Sequence, residues 1–176
     1  MEGTADTERS AVLKRVRLVA LDVDGVLTDG QVVYVGDEEL QSFCVQDGQG
    51  IAWLRSHGIE VAWITGRGSR ATVRRAEELG VRELHMQSRS KAGVLDAVQK
   101  RLGISPEETV AMGDDLPDLG LASQSALFAA PANARPEVKA RAGVVTQACG
   151  GHGAVRELVE LVLVAQGLWA GHVATR

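Results

Sequence analysis

Residues 16–25 read VRLVALDVDG. An apolar run from Leu18 to Leu21, partly β-branched, ends on Asp22, Asp24 and Gly25. The run is too short for a helix and stops at turn-forming residues, which predicts a strand over 17–23 buried on both faces. Strands of that kind belong to parallel sheets covered by helices, where ligands gather at the carboxyl ends of the strands. Asp22 and Asp24 are two residues apart. If strand geometry runs on through Asp24, both carboxylates point to one side.

Working outward, residues 30–45, GQVVYVGDEELQSFCV, predict a hairpin spanning 31–45: one strand over 32–35, a turn at Gly36-Asp37 and a return over 40–45. Helix and strand then alternate. Helices are predicted over 48–58, 69–79, 91–102 and 154–166, with glycines at 58, 80 and 103 as stops. Strands are predicted over 59–65, 81–86, 109–115, 125–131 and 142–146. SPEE at 105–108 carries a Ser cap, Pro at the first helical position and acids in the first turn. The pattern gives an α/β fold: a Rossmann-like, mostly parallel sheet with helices on both faces and a small β-hairpin flap. Residues 1–176 form one domain, with 1–15 as a loose polar arm and 168–176 as a tail.

The bulk composition excludes several classes. Hydrophobic residues make up 45% and charged residues 24%, and the net charge is -4, which disfavours a nucleic-acid partner. The polar first residues lack a signal peptide's apolar core, and no apolar run is long enough to cross a bilayer. Cys44 and Cys149 stand far apart in no metal spacing. A cytoplasmic protein with no membrane partner is expected.

Four polar signals fall at predicted strand ends or helix starts on one rim: DVDG at 22–25, ITGR at 64–67, Lys91, and GDDLPD at 113–118. Each has a bland account alone. A strand-end acid is commonly solvated, Thr65 can cap a helix, Lys91 can be a surface lysine, and Asp114 and Asp115 can be a loop pair. Together they point to phosphoryl chemistry. Clustered carboxylates repel unless a cation separates them, and hard oxygen ligands suit Mg²⁺. Lys91 and the metal offset phosphate charge. Thr65 offers a hydroxyl donor, and Gly66 lets the backbone approach. Asp22 is placed as nucleophile and Asp24 as the acid and then base.

On these motifs the chain resembles the haloacid dehalogenase superfamily. The resemblance implies that Asp22, the Asp24 backbone carbonyl and Asp114 hold Mg²⁺, that Asp115 lies beside the metal, and that Thr65, Gly66 and Lys91 bind phosphate. Further stretches, namely LDVDGVLTDG, GIEVAWITGR, AMGDDLPDL and the glycine-rich GGHGAVRELVELVL, are similar to the 3-deoxy-D-manno-octulosonate 8-phosphate phosphatase family over about residues 16–167. That resemblance implies a capless homotetramer acting on a phosphorylated 2-keto-3-deoxy sugar acid in lipopolysaccharide biosynthesis, with hairpins and tails completing neighbouring sites. Arg67 and Ser69 are candidate substrate contacts, although Ser69 also suits a helix cap. The chain departs from the family at Gln46, Met86, Gln87 and Asn133, all expected near the sugar end, which leaves a nine-carbon keto sugar acid 9-phosphate as the alternative substrate. A phospho-receiver module also uses strand-end acids, Thr and Lys, but there the acid pair comes first, whereas Asp114-Asp115 follow Lys91.

Overall fold

The computed structural model describes residues 2–174, and side chains from residue 7 onward. In chain order the elements are α1 (Glu2–Lys14), β1 (Leu18–Leu21), β2 (Val33–Val35), β3 (Glu38–Leu40), α2 (Val45–Ser56), β4 (Glu60–Ile64), α3 (Arg70–Leu79), β5 (Glu83–His85), α4 (Lys91–Leu102), β6 (Thr109–Met112), α5 (Leu119–Ala122), β7 (Leu127–Ala130), α6 (Pro136–Lys139), β8 (Val144–Val145), α7 (Ala154–Ala165) and α8 (Ala170–Val173). Among the described residues, six parallel strands form one sheet in the order β5-β4-β1-β6-β7-β8, and β2-β3 pair separately. This is the α/β architecture read from the sequence.

β1 sits at the centre with every residue buried. Successive side chains alternate between faces. Val19 and Leu21 join α1, α2 and α7 residues such as Leu13, Ile51, Leu54, Leu158 and Val162. Leu18 and Ala20 join Leu95, Val98, Leu121 and Val138 from α4, α5 and α6. The registers place the site: Leu21 lies opposite both Trp63 of β4 and Met112 of β6. The three central strands therefore end level, and Asp22, Thr65 and Asp114 emerge along one edge.

The helices start and stop where local chemistry dictates. Ser69 accepts a hydrogen bond from the Thr72 backbone N–H, and Gly80 closes α3 in the left-handed region. Ser90 and Gly103 do the same for α4. Among the described residues no helix is long and apolar enough to cross a membrane.

Two expectations need correction. The arm predicted to be loose is helix α1. Leu13 and Val16 are buried in the core under α7, and Gln166 Nε2 donates to both their carbonyls. Met1 lies outside the described residues. The hairpin's return strand is Glu38–Leu40, not 40–45: the pairing ends with Val33 opposite Leu40. Phe43 turns inward and stacks on Trp63 with ring centroids 6.3 Å apart, while Val45 opens α2. Within the tail, α8 folds back so that Trp169 and His172 pack on Trp53 of α2. Residues 175–176 of that tail lie outside the described part.

Asp47 ties α2 to α7. It is 1% exposed and accepts from the backbone N–H groups of Gly153 and Arg156, satisfying donors at the start of α7. Replacing it leaves those donors buried without partners. Asp47→Ala is therefore expected to destabilise the fold by about 1–3 kcal/mol, read as a lower urea midpoint at unchanged slope; an unchanged midpoint would rule out the tie.

Candidate active site

The backbone N–H of Asp22 donates to the Met112 carbonyl, extending the β1–β6 ladder by one residue. There the strand stops. The Val23 carbonyl accepts from Leu27 and Thr28, so Asp24 and Gly25 lie in a turn. The expected strand alternation through Asp24 does not hold; the turn brings both carboxylates to the same cavity instead. Gly25 has φ +96°, and a Cβ there would stand 2.2 Å from an Asp114 carboxylate oxygen. Only glycine fits so close to the acid.

A cavity of about 520 Å³ opens at this edge, lined by Asp22, Asp24, Thr65, Gly66, Arg67, Ser88, Arg89, Lys91, Asp114, Asp115 and Asp118, among others. A groove of about 560 Å³ between α7 and α8 is larger but is lined by Val164, Trp169, Val173 and similar residues. Among the described residues its lining holds no acid or cation, so the chemistry lies in the polar cavity.

Lys91 opens α4 and is 8% exposed. Its Nζ donates to Asp22 Oδ1 at 2.6 Å and to Asp118 Oδ1 at 2.5 Å. The second Asp118 oxygen accepts from the backbone N–H groups of Asp114 and Asp115. Asp118 was quoted in the sequence motif without a role; here it fixes both the lysine and the acidic loop. Its signal is the three-residue spacing from Asp115 to Asp118, which closes a short turn whose first residue, Asp115, accepts from the Leu116 backbone N–H. Asp115 thus caps that turn at the cavity rim.

Asp24 is gripped on both oxygens. Thr65 Oγ1 donates to Oδ2 at 2.8 Å, and Gln41 Nε2 donates to Oδ1 at 3.0 Å. Arg67 Nε stands 3.9 Å from Oδ1, and its Nη2 donates to Glu39 on the hairpin. Of the two candidate substrate contacts, Arg67 lines the cavity, whereas Ser69 caps α3 and donates to Gln41. Gln41, Ser88 and Arg89 carried no motif in the sequence and are brought here by the tertiary fold.

Gln46, Met86, Gln87 and Asn133 do not line the cavity. Asn133 Nδ2 donates to the Gly25 carbonyl, and its Oδ1 accepts from the Gly150 N–H, which joins two loops rather than touching a ligand. Gln87 adopts φ 55° and its N–H donates to the Arg67 carbonyl; Met86 packs beside Gly68.

The donor set fits a hard divalent cation. Asp22, Asp114 and Asp118 offer carboxylate oxygens within 4.8 Å of one another, and the buried Asp114 Oδ1 has no hydrogen-bond partner. Burial first, then the Asp118 charge, pushes Asp22 up to about 8, against the pull of Lys91. Burial and the neighbouring Asp118 and Asp115 charges push Asp114 up to about 7. Lys91 is raised: burial opposes its charge, but Asp22 and Asp118 outweigh it. Too much negative charge is crowded here for one ammonium, and Mg²⁺ coordinated by carboxylates, as such sites hold it, supplies the remainder.

A parallel sheet with an acid pair at its central strand end, a hydroxyl residue, a buried lysine and a further acidic loop defines a hydrolase of the haloacid dehalogenase class. A family profile described as haloacid dehalogenase-like hydrolase matches residues 81–158. The 3-deoxy-D-manno-octulosonate 8-phosphate phosphatase of Escherichia coli is 40% identical over 167 residues, 94% of this chain and 88% of its own. The same phosphatase from Moraxella catarrhalis, solved in complex with magnesium ion, phosphate ion and KDO, superimposes with TM-score 0.92 at 38% identity, covering 95% of this chain and 97% of that one. A cobalt-bound form from Haemophilus influenzae gives TM-score 0.90 at 35% identity, over 93% and 96% of the two chains. The chain belongs to the 3-deoxy-D-manno-octulosonate 8-phosphate phosphatase family.

The raised acids make stability depend on pH and metal. Without metal, the folded acids keep protons that the unfolded chain, with carboxylates near 3.8, releases. Stability then falls as pH rises from about 4 to about 8. Added Mg²⁺ is expected to raise the melting temperature more at about pH 8 than at about pH 6, measured by differential scanning fluorimetry; an equal rise at both would contradict the crowding.

Proposed function

We propose that this chain is a Mg²⁺-dependent phosphatase that hydrolyses 3-deoxy-D-manno-octulosonate 8-phosphate to the free sugar acid and phosphate, in the cytoplasm, as a step toward lipopolysaccharide. The observation that carries the reading is the buried Lys91 ammonium holding Asp22 beside Asp24 in an acid-rich cavity. Kinship to phosphatases named for that substrate supports the choice of sugar acid.

An Asp22 oxygen attacks phosphorus. The ester P–O bond breaks, and its electron pair leaves with the sugar oxygen, which takes the proton carried by Asp24. Asp24, now a carboxylate, removes a proton from water. That water attacks phosphorus, the P–O bond to Asp22 breaks, and phosphate departs. Lys91 and the Gly66 backbone bind the phosphoryl oxygens, and Thr65 borders them with its hydroxyl hydrogen given to Asp24. Bound through Asp22, the Asp24 carbonyl and Asp114, Mg²⁺ supplies positive charge that offsets the phosphate's. Arg67 faces the substrate from the rim and suits its carboxylate.

The assembly proposed is a homotetramer. Val32, Val33, Tyr34, Val35, Leu40 and Val45 are all exposed, and an isologous contact between hairpins would bury them. Phe43, at the end of the hairpin, packs inward on Trp63 instead.

Three outcomes test the reading. Asp22→Asn should bring phosphate release to background, and Asp24→Asn should cut it by about 10²–10⁴-fold with folding intact by circular dichroism. Among phosphorylated eight- and nine-carbon keto sugar acids and simple sugar phosphates, the eight-carbon 8-phosphate should give the highest kcat/KM; a higher value for another would replace the substrate. Val33→Asp with Tyr34→Asp should yield monomers by light scattering, and an unchanged tetramer would move the interface elsewhere.

A further inference from the structure

Asp24 must present its carboxyl group in one orientation, first to the leaving oxygen and then to water. Thr65 fixes one of its oxygens. The other is held by Gln41, which stands just past β3 at the base of the hairpin and is half-buried. Nothing in the chemistry assigned so far uses Gln41.

The amide of Gln41 has no freedom to turn. Its Oε1 accepts from Ser69 Oγ and from Thr72 Oγ1, each at 2.6 Å. Ser69 Oγ already accepts from the Thr72 backbone N–H, so its own hydrogen is available to donate. The Nε2 then faces Asp24 Oδ1 at 3.0 Å. The reversed amide would set a carbonyl oxygen against a carboxylate oxygen at that distance, which is repulsive. The two hydroxyls come from the first turn of α3, an element anchored in the fold through Ala76. A chain of hydrogen bonds thus runs from α3 through Gln41 to Asp24, and it passes through the hairpin, whose Glu39 separately holds Arg67.

We infer that Gln41 is a positioning residue for Asp24: it transmits the placement of the hairpin against α3 to the plane of the carboxyl group that moves the proton. The inference rests on the acid/base role of Asp24 proposed above. Two donors on two different oxygens define the plane, and loss of either leaves the group free to rotate about its last bond. Because proton delivery matters most when the leaving group is a poor one, misplacement of Asp24 costs most with an alkyl oxygen and least with an aryl oxygen that leaves without a proton.

Gln41→Glu separates this role from simple anchoring. Its carboxylate still accepts from Ser69 and Thr72, but it puts an acceptor where Asp24 needs a donor. Gln41→Met removes the donor without adding charge. Steady-state kinetics of wild type, both variants, Thr72→Val and Asp24→Asn are compared on the sugar acid phosphate and on p-nitrophenyl phosphate. Both Gln41 variants are expected to lose roughly 10- to 100-fold in kcat on the sugar substrate, with KM little changed and a clearly smaller loss on the aryl phosphate. Thr72→Val, which frees one side of the amide, should fall between them and wild type. Wild-type turnover in Gln41→Glu, or equal losses on both substrates, would overturn the inference. If Gln41→Glu fails to fold, the same comparison with Gln41→Met and Thr72→Val decides it. Asp24→Asn showing no difference between the substrates would instead sink the acid role of Asp24 itself, a separate result.

Discussion

The ion triad of Lys91 with Asp22 and Asp118 is the interaction on which the rest of the site depends. An ammonium taken out of water is costly unless its partners are close and themselves satisfied. Both conditions hold: the two carboxylates lie at 2.6 and 2.5 Å, and Asp118 spends its second oxygen on the Asp114 and Asp115 N–H groups. One lysine therefore sets the nucleophile and, through Asp118, the loop that carries the third acid. Removing any member would leave a buried charge uncompensated. Stability and function are coupled here by necessity, since the same crowding of carboxylates that costs stability gives the cluster affinity for a cation.

The triad can form only because the sheet is in register. β1, β4 and β6 end level, with Leu21 flanked by Trp63 and Met112. The sheet interior is wholly apolar at these positions, so the first polar residues after each strand come out side by side. The two cores, one on each face, hold the strands flat against slippage by even one residue, which would turn a core side chain toward solvent. The hairpin is the opposite kind of element. It pairs only with itself, exposes most of its apolar side chains, and gains its footing from Phe43 on Trp63 and from the polar links of Gln41 and Glu39.

What the sequence made legible were features whose cause is local. Ser69, Ser90, Gly80 and Gly103 bound their helices because caps work within one turn. The buried run at 18–21 and the acids after it announced a strand and its active end. Features with distant causes were not legible. α1 is polar on most of its length, and its few apolar residues matter only because α7 lies beneath them. The return strand of the hairpin stops where its partner stops, which no periodicity reveals. Asp118, Gln41 and Asp47 looked like ordinary polar residues; each draws its meaning from a partner far along the chain, as Lys91 and Asp118 are 27 residues apart and Asp47 and Arg156 109. Asn133 likewise takes its visible role from distant partners, its two hydrogen bonds joining the Gly25 and Gly150 loops.

The central claim is that Asp22, held by Lys91, takes the phosphoryl group during turnover. The most direct measurement is mass spectrometry of the enzyme quenched in acid while saturated with substrate and Mg²⁺, with borohydride used to convert any acyl phosphate to homoserine. A phosphoryl group on the peptide containing Asp22, and homoserine at position 22 after reduction, is the expected result. A phosphoryl group on another residue, or a chain that remains unmodified throughout turnover, would contradict it.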